Sequence, residues 1–236
     1  MKYFVTSDIH GHYSVLLDLL NTNGYDENNT NHKLIVCGDM FDRGLESIDV
    51  YKYLKRLKSE EKAIIVFGNH DNMLKDVLTE QIRVKFNIEH NGLGETIKSF
   101  YSSVSDKEIN LEDLEDCKKV INEGYPELVE WLEDLPLFYE LENYIFVHAG
   151  LNCAKEVDWR TETDERTFIW TKKFHLDEFD TNHIDKTIVC GHYRTSEMDA
   201  ECREGEYGFY KKINKIFIDA NVEESGQLNC LILEEG

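Results

Sequence analysis

Apolar runs of strand length recur along this chain, and each one stops at a loop rich in carboxylates and histidines. The first, Lys2 to Ser7, is built around Tyr3, Phe4 and Val5 and ends in Asp8-Ile9-His10-Gly11. The second, Lys33 to Cys37, ends in Gly38-Asp39-Met40-Phe41-Asp42-Arg43-Gly44. The third, Lys62 to Phe67, ends in Gly68-Asn69-His70-Asp71. Between the runs, Tyr13, Leu16, Leu17 and Leu20, and then Val50, Tyr51, Leu54 and Leu57, repeat with the spacing of one helix face. Strands alternating with amphipathic helices predict an α/β fold with parallel βαβ units. In such a sheet the three polar loops leave by the same edge, the edge at which open α/β sheets bind ligands.

The rest of the chain is less regular. Residues 72–135 read as mostly helical, broken at Asn91-Gly92-Leu93-Gly94. They are expected to form a helical lobe within a single domain spanning residues 1–236. Leu137 to Leu141 and Tyr144 to Val147 read as two strands joined across Glu142-Asn143, the second ending in His148-Ala149-Gly150. Leu151 to Lys186 reads as a long irregular loop pinned by Trp159, Trp170, Phe174 and Phe179. Thr187 to Cys190 is a strand ending in Gly191-His192, and Ile216 to Ile218 and Leu231 to Leu233 close the chain as strands.

Charge narrows the function. The formal net charge is −21, which disfavours nucleic acid and anionic membrane surfaces as partners. An anionic substrate would need a local positive site, and metal ions are one way to make it. The six cysteines are scattered with no C-x-x-C pair, so a zinc knuckle is not expected and a reducing compartment is. The N-terminal apolar run is too short for a signal peptide, and the expected location is cytoplasmic.

Taken singly, each polar loop is an ordinary turn, since Asp and Gly are common turn residues. Five of them after five apolar runs make a different case. Asp8 and His10, then Asp39, Asp42 and Arg43, then Asn69 and His70, then His148, then His192 offer oxygen and nitrogen ligands without thiolate. That donor set suits Mn²⁺, Fe or Zn²⁺ rather than Ca²⁺ or a cysteine-type zinc.

These loops also resemble a known family. In order, the first three match the signature blocks of the PPP-type metallophosphatases, within the calcineurin-like metallophosphoesterases. His148-Ala149-Gly150 and Gly191-His192 resemble the two later histidine blocks. The compact bacterial and phage branch, with lambda-phosphatase-like enzymes and symmetrical diadenosine tetraphosphatases, is most similar. The resemblance implies a β-sandwich flanked by helices and two adjacent divalent ions, Mn²⁺ foremost. Asp8 and His10 would hold one ion, Asn69, His148 and His192 the other, and Asp39 both. It implies in-line attack by a hydroxide shared between the ions, with no covalent intermediate. His70 would act as general acid, Asp42 would orient it, and Arg43 and Asn69 would bind the substrate phosphate. A second phosphate-binding arginine of the family is replaced here by Lys172, with Arg160 and Lys173 as rivals, and no role is carried over to Asp219. The implied activity is that of a Ser/Thr protein phosphatase acting on a phosphoprotein or a small phosphoester. Symmetrical hydrolysis of dinucleoside polyphosphates and non-catalytic phosphoprotein binding are the alternatives.

Overall fold

The computed structural model describes residues 1–79 and 83–235. In chain order, β1 (Lys2–Thr6), α1 (Tyr13–Thr22), β2 (His32–Cys37), α2 (Ser47–Ser59) and β3 (Ala63–Val66) form the opening βαβ units. Helices α3 (Asn69–Thr79), α4 (Val84–His90), α5 (Leu93–Ser102), α6 (Leu114–Gly124) and α7 (Leu128–Glu133) follow. The second half contains β4 (Phe138–Glu140), β5 (Tyr144–Val147), α8 (Trp159–Glu162), α9 (Glu165–Trp170) and β6 (Thr187–Cys190). It ends with β7 (Tyr210–Lys212), β8 (Lys215–Phe217), α10 (Val222–Ser225) and β9 (Leu231–Glu234).

The strands form two mixed sheets, ordered β3-β2-β1-β9 and β4-β5-β6-β8-β7. β1, β2 and β3 are parallel in the first, and β5, β6 and β8 are parallel in the second. The central strands are apolar throughout because both of their faces are buried. Val5, Ile35, Cys37 and Val66 meet Phe146 and Val189 in a cluster between the sheets. Their strand neighbours Phe4, Leu34, Val36, Ile65, Ile145 and Ile188 point the other way, into a core shared with Leu16, Leu20, Leu54 and Leu57 of the helices. Alternate residues of each strand thus bury against opposite layers, which gives the sandwich flanked by helices.

Several local expectations change. Asn69 and His70 open helix α3 rather than sitting in a loop. The helical stretch 72–135 includes residues 80–82, which lie outside the described residues. Residues 151–186 are not wholly irregular: Asp158 caps α8 and Asp164 caps α9, each side chain accepting a backbone N–H of the first turn. These helices are too short for a periodic pattern to show in sequence. The two closing strands do not pair with each other. β8 joins the second sheet, while β9 crosses to pair antiparallel with β1, and α10 lies between them. Among the described residues, no helix is long and apolar enough to cross a membrane.

Candidate active site

Parallel strands place their C-terminal ends on one edge, and here the edges of the two sheets meet. The loops after β1, β2 and β3 face the loops after β5 and β6. Contact is close: a Cβ on Gly38, whose φ is +82°, would lie 2.5 Å from Nδ1 of His148. The backbone N–H of His192 donates to both carboxylate oxygens of Asp8, at 3.0 and 3.1 Å, tying the first loop to the last. Asp8, His10, Asp39, Asp42, Arg43 and His192 all hold positive φ, unusual for residues with a Cβ. Backbone strain of this kind persists where the surroundings over-determine it, and it gathers at functional sites.

The histidine rings are oriented by backbone carbonyls. His10 Nδ1 lies 2.8 Å from the carbonyl of Phe41, and His148 Nδ1 lies 2.9 Å from that of Cys37. A carbonyl only accepts, so each Nδ1 donates, and in the neutral ring that a metal ligand requires, each Nε2 keeps a lone pair. Around His148 Nε2 stand Asn69 Oδ1 at 2.9 Å, His192 Nδ1 at 3.2 Å and Asp39 Oδ1 at 3.3 Å. His10 Nε2 faces Asp39 Oδ2 at 3.8 Å and Asp8 Oδ1 at 3.9 Å. Lone pairs thus converge on lone pairs in a buried place, and a cation answers that arrangement. Ligand atoms of Asp39, His148 and His192 lie within 4.8 Å of one another, as do those of His10, Asp39 and His70, so Asp39 belongs to both groups.

Electrostatics points the same way. Burial pushes Asp8 well above the usual carboxylate range, with Asp219 adding to it. Burial also opposes the charge on Asp39, but His148 and His70 outweigh it and hold Asp39 well below that range. His148 is pushed up to about 10, because Asp39 and Asp8 overcome the burial that works against its charged form. His192 is pushed down to about 3, by burial first and by His148 second. Asp8 and His148 are thus both pushed towards their protonated forms in a buried place, where bound cations would supply positive charge instead.

His70 and Asp42 form a separate unit. His70 Nδ1 lies 2.7 Å from Asp42 Oδ2, and Asp42 also accepts from the hydroxyl of Thr96 at 2.8 Å. His70 Nε2 faces Nη2 of Arg43 at 3.3 Å. Asp71 underpins the loops: its carboxylate accepts from the backbone N–H groups of Asp39 at 3.0 Å, and of Met40 and Gly68 at 2.9 Å.

Asp8, His10, Asp39, Arg43, Asn69, His70, Lys172 and His192 all line one open cleft of about 230 Å³. Asp42 and His148 lie fully buried at its floor. Among the rival cations, Lys172 alone of the three lines the cleft. Arg160 instead makes a two-pronged pair with Glu140, at 2.6 and 2.8 Å. Trp170, expected as packing, is 36% exposed and lines the cleft. Sequence reasoning also missed Arg194 and Asp219, both of which line it. The signal for Arg194 was present: a cation two residues after His192, on the same strand-end loop.

A metal-dependent phosphoester hydrolase is the class of protein that this fold and cleft define. The family described as calcineurin-like phosphoesterase matches residues 1–221, and the chain belongs to that family, whose members are dinuclear-metal enzymes. It is 28% identical over 214 residues to "Bis(5'-nucleosyl)-tetraphosphatase PrpE [asymmetrical]" of Oceanobacillus iheyensis, covering 81% of this chain and 77% of that one. It is 32% identical over 151 residues to "Bis(5'-nucleosyl)-tetraphosphatase, symmetrical" of Nitrosospira multiformis, covering 64% of this chain and 44% of that one. The chain therefore spans less than half of the second relative's length. The cold-active protein-tyrosine phosphatase of a psychrophilic Shewanella shares the fold, with a TM-score of 0.60 at 18% identity over 99% of this chain and 75% of that one.

Proposed function

We propose that this protein hydrolyses dinucleoside tetraphosphates, rather than serving first as the Ser/Thr protein phosphatase expected from sequence. The observation that carries the reading is the likeness in sequence to curated bis(5'-nucleosyl)-tetraphosphatases, whereas the protein-tyrosine phosphatase structure shares the fold at only 18% identity. The shape of the cleft supports it. Beyond Met73, Asn91, Trp170 and Lys172 the cleft runs into a larger hollow of about 600 Å³, lined also by Arg83, Phe86 and Arg166. Cations and aromatic faces along an extended groove suit a polyphosphate with a base at its end. In this reading residues 72–135 are a lobe of one domain, and through Met73, Phe86 and Asn91 they wall the groove.

The residues suit two divalent ions, with Asp8, His10 and Asp39 around one and Asp39, Asn69, His148 and His192 around the other. The all-nitrogen-and-oxygen donor set suits Mn²⁺, Fe or Zn²⁺, and Mn²⁺ is the ion the family resemblance puts first. Ions bound there would lower the pKa of a water and offset phosphate charge. His70 is assigned to proton transfer rather than ligation. Asp42 holds its Nδ1 proton, and the guanidinium of Arg43 beside Nε2 repels a cation. Its Nε2 opens on the cleft, where it would hand a proton to the leaving oxygen. Arg43, Asn69 and Lys172 would hold the phosphate, Arg43 through its fork and Lys172 as a point charge.

The test is turnover of diadenosine tetraphosphate against a phosphopeptide, with Mn²⁺ and a His70→Asn control. The dinucleotide should be preferred at least about tenfold in kcat/KM, with His70→Asn slower by roughly 10²- to 10⁴-fold. Chromatography of the nucleotide products shows whether the cut is symmetric. A phosphopeptide preference, or dinucleotide turnover no faster than the control, overturns the reading.

A further inference from the structure

We infer that Arg194 and Arg43 form a second phosphate subsite, a two-guanidinium clamp for the phosphate next to the reacting one, occupied in the free protein by the carboxylate of Glu223. This rests on the proposed polyphosphate substrate and names the residues that would distinguish it from a monoester.

One oxygen of Glu223 stands between the two guanidinium groups, 3.3 Å from Arg43 Nη1 and 3.6 Å from Arg194 Nη2. The chain itself thus shows where an anionic oxygen is held. Arg43 divides its two ends: Nη2 lies 3.3 Å from His70 Nε2, towards the reaction centre, while Nη1 turns outward to Glu223. The outer anion is therefore one guanidinium-width from the inner position, a spacing suited to neighbouring phosphates on a chain.

Glu223 is placed to yield. It rides on the short turn α10, and its side chain is 39% exposed, against 21% for Arg43 and 36% for Arg194. Exposed ion pairs are worth little in water, whereas a phosphate can take several charge-assisted hydrogen bonds from two guanidinium forks. Two other carboxylates limit the clamp's positive charge. Asp219 lies buried within the electrostatic reach of both arginines, and Glu197 sits 3.6 Å from Arg194 Nη1. Removing the Glu223 charge should therefore tighten the site, while removing Arg194 should open it.

The experiment is calorimetric titration of Mn²⁺-loaded protein with methylenediphosphonate, a non-hydrolysable diphosphate, and with inorganic phosphate. The readout is the ratio of the two dissociation constants. Arg194→Ala should weaken methylenediphosphonate about tenfold and inorganic phosphate by much less. Glu223→Gln should tighten methylenediphosphonate about threefold to tenfold, a gain that a merely structural glutamate would not produce. An unchanged ratio in Arg194→Ala, or weaker diphosphonate binding in Glu223→Gln, overturns the clamp. If either occurs in a protein that still cleaves diadenosine tetraphosphate, the clamp alone falls. If the clamp holds but the dinucleotide is not cleaved, the proposed substrate alone falls.

Discussion

The floor of the cleft and its rim are built differently. On the floor, Asp42 and His148 are fully buried, and Asp8, His10, Asp39 and Asn69 are 2% exposed. Short side chains there leave strand-end loops, or the first turn of α3 for Asn69, and are fixed by backbone carbonyls, backbone N–H groups or one another. The rim is made of long side chains, Arg43, Lys172, Arg194 and Trp170, reaching into solvent from loops and a short helix. Positioned groups in a water-poor site do chemistry, because they need not reorganise as charge develops. Flexible cations in water select and hold, and they can change without disturbing the floor.

Three substitutions probe the division, in falling order of effect. Asp39→Asn removes the carboxylate that both ligand groups share. Losing several kcal/mol of metal-derived charge stabilisation corresponds to roughly 10³-fold in turnover with Mn²⁺. Metal analysis of the purified variant should show less than the wild-type content, and full occupancy with full activity would remove Asp39 from the floor. Asp42→Asn should cost roughly 10- to 100-fold in kcat with KM little moved, as the proposed role of orienting His70 requires. A change confined to KM would place Asp42 with the rim instead. Lys172→Ala should raise KM about threefold to tenfold and leave kcat nearly unchanged. The gap between variant and wild type should narrow as salt is added, because an exposed point charge is screened. A loss in kcat as deep as that of Asp42→Asn would erase the distinction between floor and rim.

The floor residues were legible in the sequence, and of the rim Arg43 and Lys172 were while Arg194 and Trp170 were not. Floor residues follow apolar runs within a few positions, as Asp8 follows β1 and Asp39 follows β2, so strand order alone brings them to one edge. His148 and His192 belong to a second sheet, yet the same rule applies to them. Of the rim, Arg43 shares the loop of Asp39 and Arg194 that of His192, whereas Trp170 and Lys172 lie at and just past the end of α9, away from any strand end. Arg160, a rival on paper, is drawn off by Glu140, a residue 20 positions earlier in the chain. Arg194 and Glu223 meet only because β8 and α10 return the chain to the cleft.

Local physics therefore decided the alternation of strands and helices, the apolar faces and the ligand types, since each depends on residues a few positions apart. Tertiary structure decided which lone pairs face one another, which lysine reaches the cleft, and that a glutamate rests between two arginines. These depend on how two sheets and a terminal turn pack, and packing joins residues that no periodicity relates.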